Sequence, residues 1–190
     1  MKADTSTKQL FIHTASFLFA NKGYHATGIN EILKQSHAPK GSLYYYFPEG
    51  KEQLADEALQ SAAKQIFADI ESALNGETDI IKAMQNHLLH IAQRIEEDMF
   101  QPTVSISLIA LETFSSSEKL RKRCEQIFSH MEEIYIDCLE KSNYTPEMAN
   151  FIAQTMVMLT EGAITLSLTK KTTKPLHQLA ANLPKLLERT

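Results

Sequence analysis

Residues 40–47 read Lys-Gly-Ser-Leu-Tyr-Tyr-Tyr-Phe, and residues of these types in this order are suited to meeting an anion. On a helix, where each residue turns the chain by ~100°, Leu43 and Phe47 lie four apart and define a buried face. Tyr45 points almost opposite, with Gly41 and Ser42 on either side of it and Tyr44 and Tyr46 on the flanks. Three consecutive tyrosines cannot all be buried on so short a helix. Their hydroxyls must meet water or a partner, and phosphate oxygens suit them as acceptors. Gly41 removes a side chain where another backbone can come close, and Lys40 adds positive charge in the first turn. A surface helix with an incidental tyrosine cluster would carry the same pattern.

The remaining reactive side chains point away from catalysis. There is no G-x-S-x-G, no H-E-x-x-H and no Gly-rich phosphate loop, so no enzyme is expected. His87 and His90 stand three apart, but no carboxylate or cysteine completes a metal set, so neither a metal nor a cofactor is expected. Cys124 and Cys138 fall on one expected helix, ~21 Å apart by its rise, and are read as reduced structural thiols. Six of the seven methionines lie beyond the tyrosine motif, at 84, 99, 131, 148, 156 and 158. With Phe67, Phe100, Phe114, Phe128 and Phe151 they can line an adaptable apolar pocket or simply fill a core. The expected small-molecule contacts are Phe67, His87, His90, Ile91, Leu108, Glu112, Phe128, Met131 and Met158. Glu112 interrupts an apolar stretch and is expected to be a buried carboxylate that orients a hydroxylated ligand, or else to face solvent.

Helices must position these groups. Leu10, Phe11, Thr14, Ala15, Leu18 and Phe19 repeat at helical spacing through 5–22, and Gly23 supplies the stop. Ile29–Gln35 and Lys40–Phe47 make two short helices separated by Ser36-His37-Ala38-Pro39, the spacing of a helix-turn-helix. Longer patterns follow over 51–74, 79–99, 104–114, 117–143, 145–168 and 174–188. The stretch 104–114 is expected to be buried on most sides. No alternating strand pattern appears, so the fold is all-α with about nine helices. No apolar run approaches the ~18–20 residues of a membrane span, and no signal peptide is legible, so a cytoplasmic protein without membrane contact is expected.

Composition agrees with a packed globular chain: 43% of the 190 residues are hydrophobic and 22% charged, which excludes overall disorder. The net charge of −4 hides a division. Residues 1–51 hold six lysines against three acids, while the remainder holds 13 basic and 20 acidic residues. A basic N-terminal unit on an acidic body fits a nucleic-acid partner.

The strings Gly23-Tyr24-His25-Ala26-Thr27-Gly28-Ile29-Asn30-Glu31-Ile32 and Ala38-Pro39-Lys40-Gly41-Ser42-Leu43-Tyr44-Tyr45-Tyr46-Phe47 together resemble the DNA-binding signature of TetR-family repressors. The likeness covers the first ~50 residues; beyond them only an all-α body of suitable length matches. Phe47-Pro48-Glu49-Gly50-Lys51-Glu52-Gln53-Leu54 and the late Glu161-Gly162-Ala163-Ile164 are similar to an LmrA-like branch of lincomycin-resistance and flavonoid-responsive repressors of Gram-positive bacteria. The resemblance implies a helix-turn-helix domain over 1–50 and a ligand-binding and dimerisation domain over 51–190. It implies contacts to base edges or nearby backbone from Lys40, Gly41, Ser42 and Tyr44, with Asn30 able to reach a base. It implies phosphate contacts from Thr27, Tyr45, Tyr46 and Lys51. His37 replaces the usual turn glycine, and Tyr46 the common histidine. The implied partners are a double-stranded operator, a small apolar or aromatic effector and a second copy of the chain. That copy would meet Phe151, Thr155, Met156, Leu159, Gly162, Ala163, Leu166, Leu179 and Leu183, unless these pack within one subunit. A helical scaffold or adaptor without DNA binding also accounts for the all-α pattern, though not for the tyrosine–lysine motif.

Overall fold

The structure, a computed structural model, describes residues 2–75, 77–98 and 105–187. Among these there are nine helices and no strand: α1 Lys2–Lys22, α2 Ile29–Ser36, α3 Lys40–Tyr46, α4 Lys51–Asn75, α5 Ile80–Glu97, α6 Ile106–Thr113, α7 Glu118–Lys141, α8 Pro146–Lys170 and α9 Lys174–Leu186. Met99 and Phe100, two of the expected pocket residues, lie outside the described residues.

The ends of the helices follow local chemistry. Gly23 stops α1 at φ 82°, a conformation that costs glycine little. His37 closes α2 in the left-handed region at φ 51°. Pro39 caps α3 in extended geometry, since its ring holds φ near −65°. Asp79, Ser105 and Thr145 cap α5, α6 and α8 by accepting backbone N–H groups of the first turn.

The chain divides into two compact units, Met1–Lys64 with Pro102–Gln126 and Gln65–Gln101 with Ile127–Thr190. In the first, Phe11, Phe19, Ile32, Leu43, Phe47 and Leu54 are fully buried. The edge of the Phe11 ring meets Phe47 at 6.2 Å and 88°. Polar ties hold the α6–α7 corner to the start of α4. Ser117 donates to Glu52, Lys119 pairs with Glu49, and Arg123 forks onto the buried Asp56 at 2.6 and 3.3 Å. In the second unit α9 packs on α5 and α8, and Met84, Leu88, Met156 and Leu183 are fully buried.

Two expectations change. Helix α6 is not buried on most sides. Ile106, Ile109 and Thr113 share one buried face, which leaves Leu111 and Phe114 exposed opposite them. Helix α8 is, by length and composition, long and apolar enough to cross a membrane, although Glu161 interrupts its apolar sequence. One of its faces is buried in the second unit through Ile152, Ala153, Met156 and Thr160.

Candidate functional site

In the α2–α3 pair the burial of Leu43 and Phe47 decides which side chains of α3 face outward. Tyr45 is 73% exposed and Tyr44 42%; Lys40 and Gly41 are exposed, and Ser42 and Tyr46 are half-buried. Among the described residues, nothing lies within 4 Å of where a Cβ on Gly41 would stand. A glycine inside a helix costs ~0.5–1 kcal/mol relative to alanine, and no contact within the chain requires it there. Asn30 is exposed on α2. Lys40, Gly41, Tyr44, Tyr45 and Asn30 therefore form an open surface carrying hydroxyl, amide and ammonium donors.

Thr27 and Lys51 are placed differently. Thr27 is fully buried, and its hydroxyl donates to the Gly23 carbonyl at 2.8 Å. The Lys51 Nζ donates to the Tyr24 carbonyl at 3.0 Å and the Thr27 carbonyl at 3.1 Å, and lies 4.2 Å from the Tyr24 ring centroid. Burial lowers its pKa, while the Glu112 charge opposes that shift. Both side chains, expected at phosphates, are engaged in the α1–α2 turn.

Glu112 joins them there. Its carboxylate accepts the backbone N–H groups of Tyr24 and of His25, the latter at 3.2 Å. The His25 Nε2 lies 2.8 Å from the Glu112 carbonyl, which can only accept. The expectation of a ligand-orienting carboxylate thus gives way to a carboxylate satisfied by a turn 88 residues earlier. No local signal marks that pairing; the one clue is Gly23, where a Cβ would overlap the carboxylate.

The other expected effector contacts do not share one unit. Leu108 and Glu112 belong to the first, whereas Phe67, His87, His90, Ile91, Phe128, Met131 and Met158 belong to the second. His87 is buried beside Tyr135, their ring centroids 6.5 Å apart, and among the described residues its Nδ1 has no hydrogen-bond partner. Burial drives its pKa down to about 4, His90 and Arg94 add to the shift, and Asp69 opposes it. Met131 is buried, Phe67, Ile91 and Phe128 are half-buried, and His90 is exposed. Phe67 meets the His130 ring edge-on at 4.5 Å. Met158 is 65% exposed, at the surface of the chain.

Met158 instead continues an apolar strip along α8. Phe151, 60% exposed, Thr155, Leu159, Gly162 and Leu166 share that side of the helix. A Cβ on Gly162 would meet nothing within 4 Å among the described residues. Of the other expected interface residues, Met156, Ala163 and Leu183 are buried within the chain, and Leu179 is half-buried.

Comparison with known proteins places both ends of the chain in one family of regulators. A model of bacterial regulatory proteins of the tetR family matches residues 11–58. A model of the C-terminal domain of LmrA/YxaF-like transcriptional regulators matches residues 80–182. The HTH-type transcriptional regulator YxaF of Bacillus subtilis (strain 168) is 35% identical, over 100% of this chain and 99% of its own. The HTH-type transcriptional regulator LmrA of the same organism is 33% identical, over 96% and 97%. The crystal structure of a TetR transcriptional regulator from Chloroflexus aurantiacus superimposes with a TM-score of 0.85 at 25% identity, covering 98% of this chain and 96% of that one. A Legionella pneumophila TetR regulator, at 18% identity, shares the all-α fold with a TM-score of 0.82 over 95% and 97%.

Proposed function

Because the chain belongs to the TetR family of bacterial regulatory proteins and carries an LmrA/YxaF-like C-terminal domain, we propose that it is a repressor that binds a near-palindromic operator as a homodimer. A small apolar or aromatic effector then releases it. That it is a transcriptional regulator rather than an enzyme is the premise; the dimer, the effector and the contact residues are the proposal, as is its action in the cytoplasm.

The observation that carries the DNA reading is the outer face of α3. Lys40, Gly41, Tyr44 and Tyr45 are exposed there while Leu43 and Phe47 anchor the helix from behind. A helix held in this way can enter a major groove, with Lys40 donating to guanine O6 and N7 and the tyrosine hydroxyls donating to phosphate oxygens. Asn30 on α2 is available to a base, and Ser42 and Tyr46 to the flanking backbone. Residues 1–50 would be the DNA-binding part and 51–190 the effector-binding and dimer-forming part.

The effector would enter the second unit beside His87, whose neutral imidazole has a free ring nitrogen for it. Phe67, Ile91, Phe128 and Met131 would offer apolar contact from the same unit. The exposed strip of α8, from Phe151 to Leu166, would meet its counterpart in the second copy.

The test is titration of a labelled duplex from beside the protein's own gene, followed by fluorescence anisotropy. The purified protein should bind it and lose it when effector is added. Unchanged affinity on combining Lys40→Ala with Tyr44→Ala would remove α3 from the interface.

A further inference from the structure

We propose that Glu112 is a positioning residue for DNA binding: its carboxylate, seated on the backbone N–H groups of Tyr24 and His25, holds the turn that delivers α2 and α3 to the operator. The proposal rests on the DNA-binding reading and adds a residue of α6, far from the motif in sequence, that the operator never touches.

The turn Gly23–Gly28 is gripped from both sides. On its N–H side, the Glu112 carboxylate accepts from Tyr24 and His25. On its carbonyl side, the Lys51 ammonium donates to Tyr24 and Thr27. Peptide N–H and C=O groups point in opposite directions, so a carboxylate and an ammonium placed across the turn fix its peptide planes. Hydrogen bonds to ionised groups are about twice as strong as neutral ones. Two convergent N–H groups beside a residue at positive φ make an anion-binding nest. Gly23, at φ 82°, is the residue whose missing Cβ leaves room for the carboxylate.

The far end of the turn is the start of α2. Thr27 folds back to the Gly23 carbonyl, and Gly28 caps the helix with its own carbonyl, which accepts from Glu31 and Ile32. Movement of the turn therefore moves α2, and with it α3 through the short link at His37. At the other end, α6 is itself held by the ties of the α6–α7 corner to α4, which include the Arg123–Asp56 fork. The clamp is thus backed by a braced element and not by a free side chain.

The experiment measures operator affinity for Glu112→Ala and Glu112→Gln against the wild type. It is run at about 0.15 M salt, where charges more than ~8 Å apart are screened. Helicity and sedimentation confirm that the variants fold and assemble as the wild type does. Glu112→Ala should bind about tenfold more weakly, and Glu112→Gln, which keeps one acceptor without the charge, at least threefold more weakly. The slope of log affinity against log salt should stay that of the wild type, because no phosphate contact is lost. Amide exchange at Tyr24 and His25 should accelerate in both variants. Affinity within threefold of wild type for either variant, or a shallower salt slope, overturns the proposal. Should Glu112→Ala fail to fold, Glu112→Gln alone decides by the same threefold threshold. If the wild type itself binds no duplex, the DNA reading falls first and this proposal with it.

Discussion

Single side chains make separable contributions to binding and to stability. Lys40 and Tyr45 are both exposed on α3, but one is charged and the other neutral. Lys40→Ala should weaken operator binding by ~1–3 kcal/mol and relax the preference for guanine at the base pair it reads. Tyr45→Phe should weaken binding to all duplexes alike, and anisotropy titrations of operators altered at single base pairs separate the two. His87 belongs to stability. Its folded pKa of about 4 lies below the 6.5 of a free imidazole, so the unfolded chain takes up the proton first as pH falls. The native state therefore loses stability from pH ~6.5 down to ~4, by up to ~3 kcal/mol, and loses nothing from this group above that window. Urea unfolding of His87→Phe across the window should show a flatter pH dependence than wild type. Equal pH dependence of the two would mean that the imidazole is not kept neutral by the fold.

Among the elements, α9 shows how one helix compensates for a defect in another. Pro184 lies inside α9 and has no N–H to offer the Ala180 carbonyl one turn back. Gln85, from α5, donates its side-chain amide to that carbonyl at 2.7 Å. The contact satisfies a buried backbone acceptor that the proline would otherwise leave unpaired. Gln85→Ala should therefore cost ~1–3 kcal/mol of stability. In a Pro184→Ala background, where the helix supplies its own N–H, the same change should cost clearly less. Denaturant midpoints of the four proteins close this double-mutant cycle, and additivity would dismiss the compensation. In sequence, Pro184 within the 174–188 pattern leaves the rescue invisible, because nothing links position 85 to position 180 before the chain folds.

For the molecule as a whole, assembly is the open question that the surface of α8 poses. Gly162 sits on the exposed apolar side of that helix with free space around its Cα. Gly162→Leu therefore meets no obstacle within one chain and should raise helix propensity slightly. If the Phe151–Leu166 strip faces a second copy, the added side chain overpacks the contact and costs ~1–3 kcal/mol of association. Sedimentation should then show a shift toward monomer with helicity retained, and operator affinity should fall with it. A fully dimeric Gly162→Leu protein would place the interface elsewhere.

The amino-acid sequence by itself determined what depends on neighbours along the chain. The nine helices among the described residues, the stop at Gly23, the left-handed His37 and the burial of Leu43 and Phe47 behind the tyrosines all follow from periodicity and local backbone preference. The type of regulator was legible for the same reason, since the motif is contiguous over residues 23–54. Tertiary structure alone decided which side chains were still available once the chain had packed. Thr27 and Lys51 have the right types for phosphate but are drawn into the α1–α2 turn, whose carbonyls accept the Thr27 hydroxyl and the Lys51 ammonium. Glu112 reads as a ligand group in an apolar stretch, yet it finds two backbone donors 88 and 87 residues away. The α8 stripe, continuous in sequence, divides into Met156 and Ala163 inside and Phe151 and Leu166 outside. A pattern of apolar residues marks both faces alike; only the helices packed against one of them leave the other exposed.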